Sequence, residues 1–329
     1  MQRRDTAWCI ALLAGGESEE RAISVQSGEA VQRALMARGH TVVWVDPAEV
    51  TLEQLDWRVF DVAFLALHGR YGEDGGVQRI LEHAGIAYTG SGPQATYTAF
   101  HKALAKEHFI RAGVPTPLGA VVRRGEDWSK LQQRAVHVGF PLIVKPEAQG
   151  SSLGVSWVDS LEALFPALQR VWEYDDTALM EPALTGEEWT VGVFGERCFP
   201  PLKIVPTRKV FDYQAKYHDE ATRIESPACA PRELVTQLQR LAWRACDCLG
   251  VSGLARVDLR LDRLGQPWVL EVNTIPGMTD HSLLPKAAAL AGWTLGELCE
   301  LAIREALRPP VPRPHLFQAY KVRQPPAWS

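Results

Sequence analysis

The chain has 329 residues, 46% of them hydrophobic and 22% charged, with a net charge of −4 and a pI near 6.2. This length is too great for one small core and fits two or three packed domains. There is no long run of Lys or Arg and no apolar stretch long enough to span a bilayer, so nucleic acid and membranes are poor partner candidates. The six cysteines lack zinc-ligand spacing, and we expect reduced, mostly buried thiols in a cytoplasmic protein.

The N-terminal part alternates strand and helix. Apolar runs predict strands over 8–13, 41–45 and 61–67, and apolar periodicity predicts helices over 22–38 and 77–84. The first run, which follows Arg3-Arg4, loosely imitates a signal peptide. We prefer a buried strand, a Gly-Gly turn and a helix. The pattern predicts an open α/β unit with a mainly parallel sheet, whose ligands bind at the carboxyl ends of the strands.

The rest of the chain is richer in strands. We predict helices over 93–113, 159–174, 232–249 and 294–307, and strands over 141–145, 177–181, 188–194 and 202–205. Residues 149–154 form a loop of small residues between two of these elements. The fold class is therefore α/β in the first part and α+β in the rest. The Pro-rich segment 309–329 is expected to be an extended or poorly ordered tail without evident chemistry.

Two short segments near the C-terminal end are the most informative. In Arg256-Val257-Asp258 and Glu271-Val272-Asn273, polar residues alternate with valine, so the polar side chains of each strand share a face. The turn-like residues 262–265 predict a hairpin between them. Leu259 and Leu270 are expected, like the valines, to point into the core. Carboxylate and amide oxygens on one surface are ligands that Mg²⁺ prefers, so we predict a site for metal-bound phosphate.

Other segments carry weaker signals that each have an ordinary structural explanation. Glycines and hydroxyls in 149–154, with Lys145 before them, favour phosphate binding, although such loops are commonly plain turns. The linker 180–184 could hold an adenine and Glu188 a ribose, or Glu188 could be a surface carboxylate. The polar stretch 211–222 could be a lid or an ordinary loop. The Gly277 amide and the Ser282 hydroxyl could bind anionic oxygen, and Ser282 could also cap a helix.

Together these segments resemble the D-alanine–D-alanine ligases of the ATP-grasp superfamily, over residues 8 to 307. The motifs that carry the resemblance are, in chain order, Gly15-Gly16-Glu17-Ser18-Glu19-Glu20-Arg21, His68-Gly69-Arg70-Tyr71-Gly72-Glu73-Asp74-Gly75, Tyr88-Thr89-Gly90-Ser91-Gly92, Lys145 with Gly150-Ser151-Ser152-Leu153-Gly154, Asp212-Tyr213-Gln214-Ala215-Lys216-Tyr217, Arg256-Val257-Asp258, and Glu271-Val272-Asn273-Thr274-Ile275-Pro276-Gly277-Met278-Thr279. Each is modest alone, but all of them in this order are very specific.

The resemblance implies a fold and a reaction. An N-terminal open α/β (pre-ATP-grasp) domain, residues 1–95, would precede a two-lobed ATP-grasp fold with a central lobe over 96–182 and a C-terminal lobe over 183–308. ATP would phosphorylate the carboxylate of one D-alanine, and the amine of a second would displace phosphate to give D-alanyl-D-alanine for peptidoglycan. Catalysis would be mostly positioning and charge neutralisation. A homodimer formed through the N-terminal domain is also implied.

The resemblance also implies roles for single residues. The residues implied to contact ATP are Lys102, Lys145, Ser151, Ser152, Glu181, Leu184, Glu188 and Lys216. Those implied to hold two Mg²⁺ ions, with Mn²⁺ as a possible substitute, are Asp258, Glu271 and Asn273, with Glu271 bridging. Those implied to contact the two substrates are Glu20, His68, Tyr217, Arg256, Gly277, Ser282 and Leu283. Within this set, Arg256 would face Gly277 as an oxyanion stabiliser instead of pairing with its neighbour, and Ser151, Tyr217 and Glu20 would link the lid to the substrate.

The sequence departs from the family pattern at Ala22, at Tyr71, at His101 and in the tail, but at no residue that the mechanism needs. Tyr217 favours the dipeptide over a D-alanine–D-lactate ester. Two alternatives stay open. One is another ATP-grasp ligase that joins a different D-amino or D-hydroxy acid. The other is a non-catalytic nucleotide-binding homologue, against which the intact charged set around Asp258 argues.

Overall fold

The computed structural model describes residues 7–205, 222–226 and 230–308. Its N-terminal part is a parallel three-stranded sheet of order β2-β1-β3, formed by β1 (Cys9–Leu13), β2 (Thr41–Val45) and β3 (Val62–Leu65). Helices α1 (Arg21–Met36) and α2 (Gly76–Ala84) accompany it. The predicted strands and helices of this part are confirmed. The first apolar run is the buried central strand of the sheet, as we preferred over a signal peptide.

The long helix predicted over 93–113 is wrong, because the chain forms two helices, α3 (Pro93–Phe100) and α4 (Lys102–Arg111). His101 between them leaves the helical conformation, with φ −83° and ψ 95°. The amide of Lys102 donates to the carbonyl of Glu147, and the amide of Ala103 donates to the Glu147 carboxylate. A residue of another element thus caps α4, a partner that local sequence does not reveal.

The central lobe is an antiparallel sheet of order β4-β7-β5-β6 with two helices packed against it. Its elements are β4 (Ala120–Arg123), α5 (Trp128–Val138), β5 (Leu142–Pro146), β6 (Ser156–Val158), α6 (Leu164–Val171) and β7 (Thr177–Pro182). The sequence analysis missed β4, α5 and β6. It also placed the start of α6 too early. Pro166 is tolerated only in the first turn of a helix, and α6 begins two residues before it.

The C-terminal lobe is an antiparallel sheet of order β11-β10-β8-β12-β13, with β9 paired to β8. Its elements are β8 (Glu188–Phe194), β9 (Arg197–Cys198), β10 (Leu202–Val205), β11 (Arg223–Glu225), α7 (Arg232–Leu249), β12 (Leu254–Leu261) and β13 (Pro267–Asn273). The predicted hairpin of β12 and β13 is confirmed. Helix α7 covers one face of the sheet, where Leu238 and Ala242 join Val191 and Val257 in one buried core.

Two last helices, α8 (Leu283–Leu290) and α9 (Leu295–Ala306), return to the N-terminal sheet. Leu298 and Ile303 of α9 share a core with Leu12 of β1 and Val31 of α1. Beside this core lies the joint cluster, which we define as Glu300, Arg38, His40 and Arg304. It joins the C-terminal end of the described chain to the N-terminal sheet.

The Glu300 carboxylate is the centre of the joint cluster. It accepts hydrogen bonds from Arg38 at 2.5 and 3.0 Å, and from Arg304 at 3.1 Å. The ring Nε2 of His40 lies 3.1 Å from the same carboxylate. Hydrogen bonds from Arg38, which outweigh burial, lower the pKa of Glu300 to about 2. This buried carboxylate therefore connects the turn between α1 and β2 to α9.

The described residues bear on several other expectations. Each of the three sheets falls inside one of the ranges 1–95, 96–182 and 183–308, and the domain limits themselves stay a prediction. Five cysteines are described, and all are free thiols. Within the described ranges, no helix is long and apolar enough to cross a bilayer. The tail 309–329 and the lid residues Lys216 and Tyr217 lie outside the described residues.

Candidate functional site

The polar face of the β12–β13 hairpin is confirmed, with one correction. Asp258 pairs with Glu271 across the two strands, and Arg256 pairs with Asn273. The register then shifts, so that Leu259 pairs with Val269 and Leu270 is an extra residue in β13. Leu270 consequently lines a cleft beside Asp258 and Glu271, and its expected place in the core was wrong.

Arg256 is paired with its neighbour, contrary to the sequence-based expectation. Its guanidinium donates two hydrogen bonds to the Asp258 carboxylate, at 2.9 and 2.8 Å. The hydroxyl of Thr190 on the adjacent strand β8 donates to the same carboxylate at 2.7 Å. Side chains at i and i+2 of a strand lie close enough for this bidentate pair. Asp258 is thereby held firmly, and Arg256 is oriented by it.

The remaining oxygen donors lie close by. One Glu271 carboxylate oxygen is 3.7 Å from the Lys102 ammonium, and the Asn273 side-chain oxygen accepts from the amide of Ile275 at 2.9 Å. Among the described residues no group of three or more His, Cys, Asp or Glu side chains could hold a metal ion. The predicted set has only two carboxylates, completed by an amide. Its hard oxygen donors suit Mg²⁺ or Mn²⁺, which take their other ligands from water and phosphate.

A cleft between the central and C-terminal lobes gathers most of the predicted nucleotide residues. Residues of both lobes line it, and they are Lys102, Ile143, Lys145, Pro146, Gln149, Ser152, Leu153, Val155, Glu181, Pro182, Leu184, Glu188, Asp258, Arg260, Leu270 and Glu271. Apolar side chains thus alternate with lysines and carboxylates. A cleft with an apolar wall and a few convergent charges suits a nucleotide. The base would lie against the apolar side chains and the phosphates against the lysines.

Two residues of the cleft wall belong to the lysine–glutamate cluster, which we define as Lys106, Lys145 and Glu181, with Lys106 buried behind the wall. The Glu181 carboxylate lies 2.6 Å from the Lys106 ammonium and 2.8 Å from that of Lys145. Burial alone would raise the pKa of Glu181, but the two ammonium groups outweigh it and hold that pKa below its usual range. Burial lowers the pKa of Lys106 to about 8, although Glu181 opposes this shift.

At the far side of the cleft, Glu188 accepts a hydrogen bond from Arg260 at 3.2 Å. Glu188 is buried at the start of β8, and Leu184 lies in the linker before it. Glu188 is therefore not a surface carboxylate, which was the alternative to ribose contact in the sequence analysis. Its place beside Leu184 in the cleft wall suits contact with a ribose.

The loop 149–154 connects the cleft with the N-terminal domain. Ser151 and Ser152 both have positive φ, at 50° and 55°, which turns their backbone sharply. The Ser151 hydroxyl donates to the buried Glu20 carboxylate. A Cβ at Gly150 would overlap that carboxylate, so only glycine allows this close approach. The predicted link between Ser151 and Glu20 is present.

His68 is buried. Its neighbour Gly69 approaches Glu20 closely, since a Cβ built on Gly69 would lie 2.8 Å from the Glu20 carboxylate. The ring Nε2 of His68 is 3.0 Å from the Ser27 hydroxyl, and its Nδ1 is 3.7 Å from Glu73. Ser27 also accepts the amide hydrogen of Met278 at 3.3 Å. One fully buried hydroxyl on α1 therefore connects the His68 loop to the segment that carries Gly277.

Gly277 and Ser282 lie together, as the sequence suggested. A Cβ at Gly277 would come within 2.8 Å of the Ser282 hydroxyl oxygen. That oxygen accepts from the Thr279 amide at 3.1 Å and lies 2.8 Å from the Thr279 hydroxyl. Ser282 precedes α8 but makes no side-chain capping bond to it. Leu283, the next residue, packs partly buried against the core beneath.

The sequence analysis missed several residues of the site. Lys106 lies four positions after Lys102 and so faces the same side of α4, a spacing that could have revealed it. Gln149 donates to Glu19 at 2.8 Å, and its backbone carbonyl accepts from Lys102 at 2.6 Å. Nothing local distinguishes Ser27 or Arg260, because their roles come from segments far away in the sequence.

Comparison with known families agrees with this geometry. The family profile described as "D-ala D-ala ligase C-terminus" matches residues 109–304, and the profile described as "D-ala D-ala ligase N-terminus" matches residues 48–91. The first covers the hairpin and the cleft residues other than Lys102. The second covers the loop that carries His68.

Individual relatives cover nearly the whole chain. A D-alanine–D-alanine ligase of Ectopseudomonas mendocina is 43% identical over 289 residues, which are 88% of this chain and 91% of that protein. One of Halorhodospira halophila is 43% identical over 91% of this chain and 96% of the relative.

Solved structures agree. That of D-alanine–D-alanine ligase from Bacillus anthracis complexed with ATP is 32% identical, with a TM-score of 0.77, over 92% of this chain and 98% of that one. The D-Ala:D-Ser ligase VanG of Enterococcus faecalis is 25% identical, with a TM-score of 0.79, over 92% of this chain and all of that one. The α/β domain and the two lobes are therefore the expected N-terminal domain and ATP-grasp fold. The chain belongs to the D-alanine–D-alanine ligase family.

Proposed function

We propose that the protein joins two D-alanines to D-alanyl-D-alanine, using ATP and passing through a D-alanyl phosphate. The observation that carries this proposal is the position of loop 149–154. Gln149 and Ser152 line the cleft suited to a nucleotide, while Ser151 between them donates to Glu20. In this proposal the loop would hold a phosphate beside a buried carboxylate that suits an ammonium group. Such proximity is what transfer of a phosphoryl group to an amino acid requires.

In the proposed mechanism, Lys102 and Lys145 pair with the α- and β-phosphates of ATP, and the backbone amides near Ser151 and Ser152 cover the transferred group. Asp258, Glu271 and Asn273 would hold two divalent ions. These ions would neutralise the charge that develops on the phosphates. Lys216, outside the described residues, is proposed to steady the phosphoryl group in transfer.

The substrates are proposed to bind between the N-terminal domain and the C-terminal lobe. Glu20 takes the ammonium of the first D-alanine, with His68 beside it. Arg256, oriented by Asp258, and the Gly277 amide stabilise the oxyanion that forms when the second amine attacks. Ser282, with Leu283 next to it, binds the carboxylate of the second substrate.

Tyr217 is proposed to favour an amino acid as the second substrate over a hydroxy acid. It lies outside the described residues, and the support for this role is its place in the Lys216-Tyr217 motif. A relative with the same fold is a D-Ala:D-Ser ligase, so the fold alone does not choose the second substrate. D-Serine and D-lactate are therefore the alternatives to test.

The test is a phosphate-release assay with ATP, Mg²⁺ and D-alanine, repeated with D-serine or D-lactate as a second substrate. We expect the highest turnover with D-alanine alone and formation of the dipeptide. Glu271→Gln serves as the inactive control, because it keeps the shape of the side chain and removes the metal-binding charge. Stimulation by another acid but not by D-alanine would contradict the proposed substrate. ATP binding without turnover would contradict the proposed catalysis.

Three further proposals follow from family membership. The dipeptide serves peptidoglycan synthesis, the protein works in the cytoplasm, and it forms a homodimer through the N-terminal domain. Sedimentation of the purified full chain tests the last of these, and a monomer at micromolar concentration would contradict it.

A further inference from the structure

Lys106 is buried deep in the protein without facing the cleft. It is 5% exposed, and it is absent from the described residues that line the cleft, whereas Lys145 and Glu181 are among them. Lys106 lies on α4, behind Glu181 as seen from the cleft. Burial of an ammonium group is costly unless it is paired and fully hydrogen-bonded. The contacts of Lys106 must therefore offset the cost of burying its ammonium group.

The Lys106 ammonium makes one ion pair and two hydrogen bonds. The ammonium lies 2.6 Å from Glu181 and donates to the Thr116 hydroxyl at 2.8 Å and to the Pro117 carbonyl at 3.1 Å. All three acceptors belong to the protein. Lys106 is consequently held by protein groups and does not line the cleft.

Lys145 differs in this respect. Its ammonium lies 2.8 Å from the second Glu181 oxygen, and Glu181 is its one hydrogen-bonding or ionic partner in the described part of the chain. An ammonium group has three donors, so two remain for a ligand in the cleft. The cluster thus holds two cations and one anion, and the surplus positive charge lies on the side that faces the cleft.

We propose that Lys106 is a positioning residue for the nucleotide: it neutralises Glu181 from behind, so that Lys145 can give its charge to a phosphate. This inference rests on the proposed nucleotide role of the cleft and adds a residue to it. Without Lys106, Glu181 would compete with the phosphate for Lys145. The free carboxylate would also repel the anionic ligand across a medium of low dielectric constant.

Lys106 also connects the cluster to the opposite lobe. The Thr116 hydroxyl that accepts from Lys106 donates to the backbone carbonyl of Val269 at 2.8 Å. Val269 lies in β13, two residues before Glu271. The position of the Glu181 carboxylate is thereby linked to β13, the strand that carries the proposed metal-binding residues Glu271 and Asn273. We therefore expect the loss of Lys106 to change KM for ATP more than KM for D-alanine.

The main test is Lys106→Met in the full chain, with steady-state kinetics for each substrate. The methionine keeps the length of the side chain and removes its charge. We expect KM for ATP to rise about tenfold or more, as for the loss of one partner of a buried charge pair, with KM for D-alanine unchanged within about twofold. Arg111→Met, which removes an exposed cation from the same helix, is the matched control and should leave both KM values unchanged.

A double-mutant cycle separates this role from a purely structural one. In a Glu181→Gln background, Lys106→Met should raise KM for ATP by less than about threefold, because no buried anion is left to neutralise. Lys106→Arg keeps the positive charge and should retain a lower KM for ATP than Lys106→Met. If Lys106→Met does not fold, the arginine variant and the Glu181→Gln pair still decide the question. An unchanged KM for ATP in a folded charge-removing variant overturns the proposal, as does equal loss in both backgrounds.

Lys145→Met distinguishes failure of this inference from failure of the proposed function. If that variant binds ATP as the unmodified protein does, the cleft does not hold the phosphates as proposed. If Lys145→Met weakens ATP binding and Lys106→Met does not, the cleft is assigned correctly and the role of Lys106 is overturned.

Discussion

Two clusters in this protein have the same charge balance, two cations around one buried carboxylate, but different surroundings. In the lysine–glutamate cluster, two buried ammonium groups share the single carboxylate of Glu181. In the joint cluster, the single carboxylate of Glu300 accepts from two guanidinium groups and faces a histidine ring. The first lies beside an open cleft, which Lys145 and Glu181 line. The second lies between packed helices and a strand.

The difference lies in where the unmatched charge can go. The side chains of Arg38 and Arg304 are 36% and 43% exposed, so water takes up the surplus positive charge of the joint cluster. Both lysines of the lysine–glutamate cluster are less than a tenth exposed, so their surplus charge has no such outlet. A buried surplus cation costs stability and suits an anionic ligand. A saturated carboxylate is instead suited to holding two parts of a fold together.

The largest expected effect in the cleft is that of Glu271→Gln. The substitution removes a charge from the proposed metal site and keeps the side-chain shape. We expect kcat to fall about a thousandfold, since metal ions carry much of the charge neutralisation in phosphoryl transfer. The melting temperature should stay the same or rise, as measured by differential scanning fluorimetry. A large loss of stability would mean that the cleft charges serve the fold, and would break the comparison.

A smaller effect is expected for Ser27→Ala on helix α1. Ser27 contacts His68 and the Met278 amide, so its loss should loosen both proposed substrate sites. We expect kcat/KM for D-alanine to fall about tenfold with KM for ATP unchanged, in line with one lost hydrogen-bonding group. Ser24→Ala on the same helix is the control, because its hydroxyl bonds only to Gly15 and Ala66 in the described structure. Equal loss in both variants would indicate general destabilisation.

A substitution in the joint cluster should lower stability and leave activity nearly unchanged. Glu300→Gln should lower the free energy of unfolding at neutral pH by on the order of 2 kcal/mol, because the carboxylate loses its ion pairs while the amide keeps its size. This corresponds to a fall in melting temperature of about 3 °C for a protein of this length. Turnover at 25 °C should change by less than about twofold. A loss of activity without a loss of stability would contradict the purely structural role.

The smallest effect is the pH dependence of the melting-temperature difference between Glu300→Gln and the unmodified protein. The folded pKa of Glu300 is lowered to about 2 from a reference value of 4.5, chiefly by hydrogen bonds from Arg38. A lowered carboxylate pKa stabilises the fold fully above the reference value, and this contribution is lost as the pH falls toward the folded pKa. The difference in melting temperature between Glu300→Gln and the unmodified protein should therefore be constant from pH 7 to 5 and shrink below pH 4.5. A difference that grows in acid would contradict this sign.

Much of the site could be predicted because its determinants are local. The alternation in β12 and β13 put Arg256 and Asp258 on one face, and period-two geometry leaves little choice. The glycine and serine residues of 149–154 likewise indicated a loop, and Ser151 and Ser152 in it have positive φ. Strand and helix limits in the N-terminal part followed from apolar periodicity in the same way.

Other features could not be predicted, because they depend on partners far away in the sequence. The break at His101 depends on the cap from Glu147, and the place of Leu270 depends on a register shift between two strands. The orientation of Arg256 was predicted wrongly for a related reason. Whether a guanidinium pairs with its neighbour or faces a loop depends on how the strands around it are packed.

The sequence by itself determined the fold class and the family, and it supplied the residues proposed to contact ATP, metal and substrate, because motif order and side-chain periodicity are properties of the chain. Only the tertiary structure decided how the charges are shared. Lys106 and Lys145 come together on Glu181 from a helix and a strand 39 positions apart, and Glu300 meets Arg38 across 262 positions. Electrostatic energy depends on distance and burial, and both are fixed only when the chain has folded.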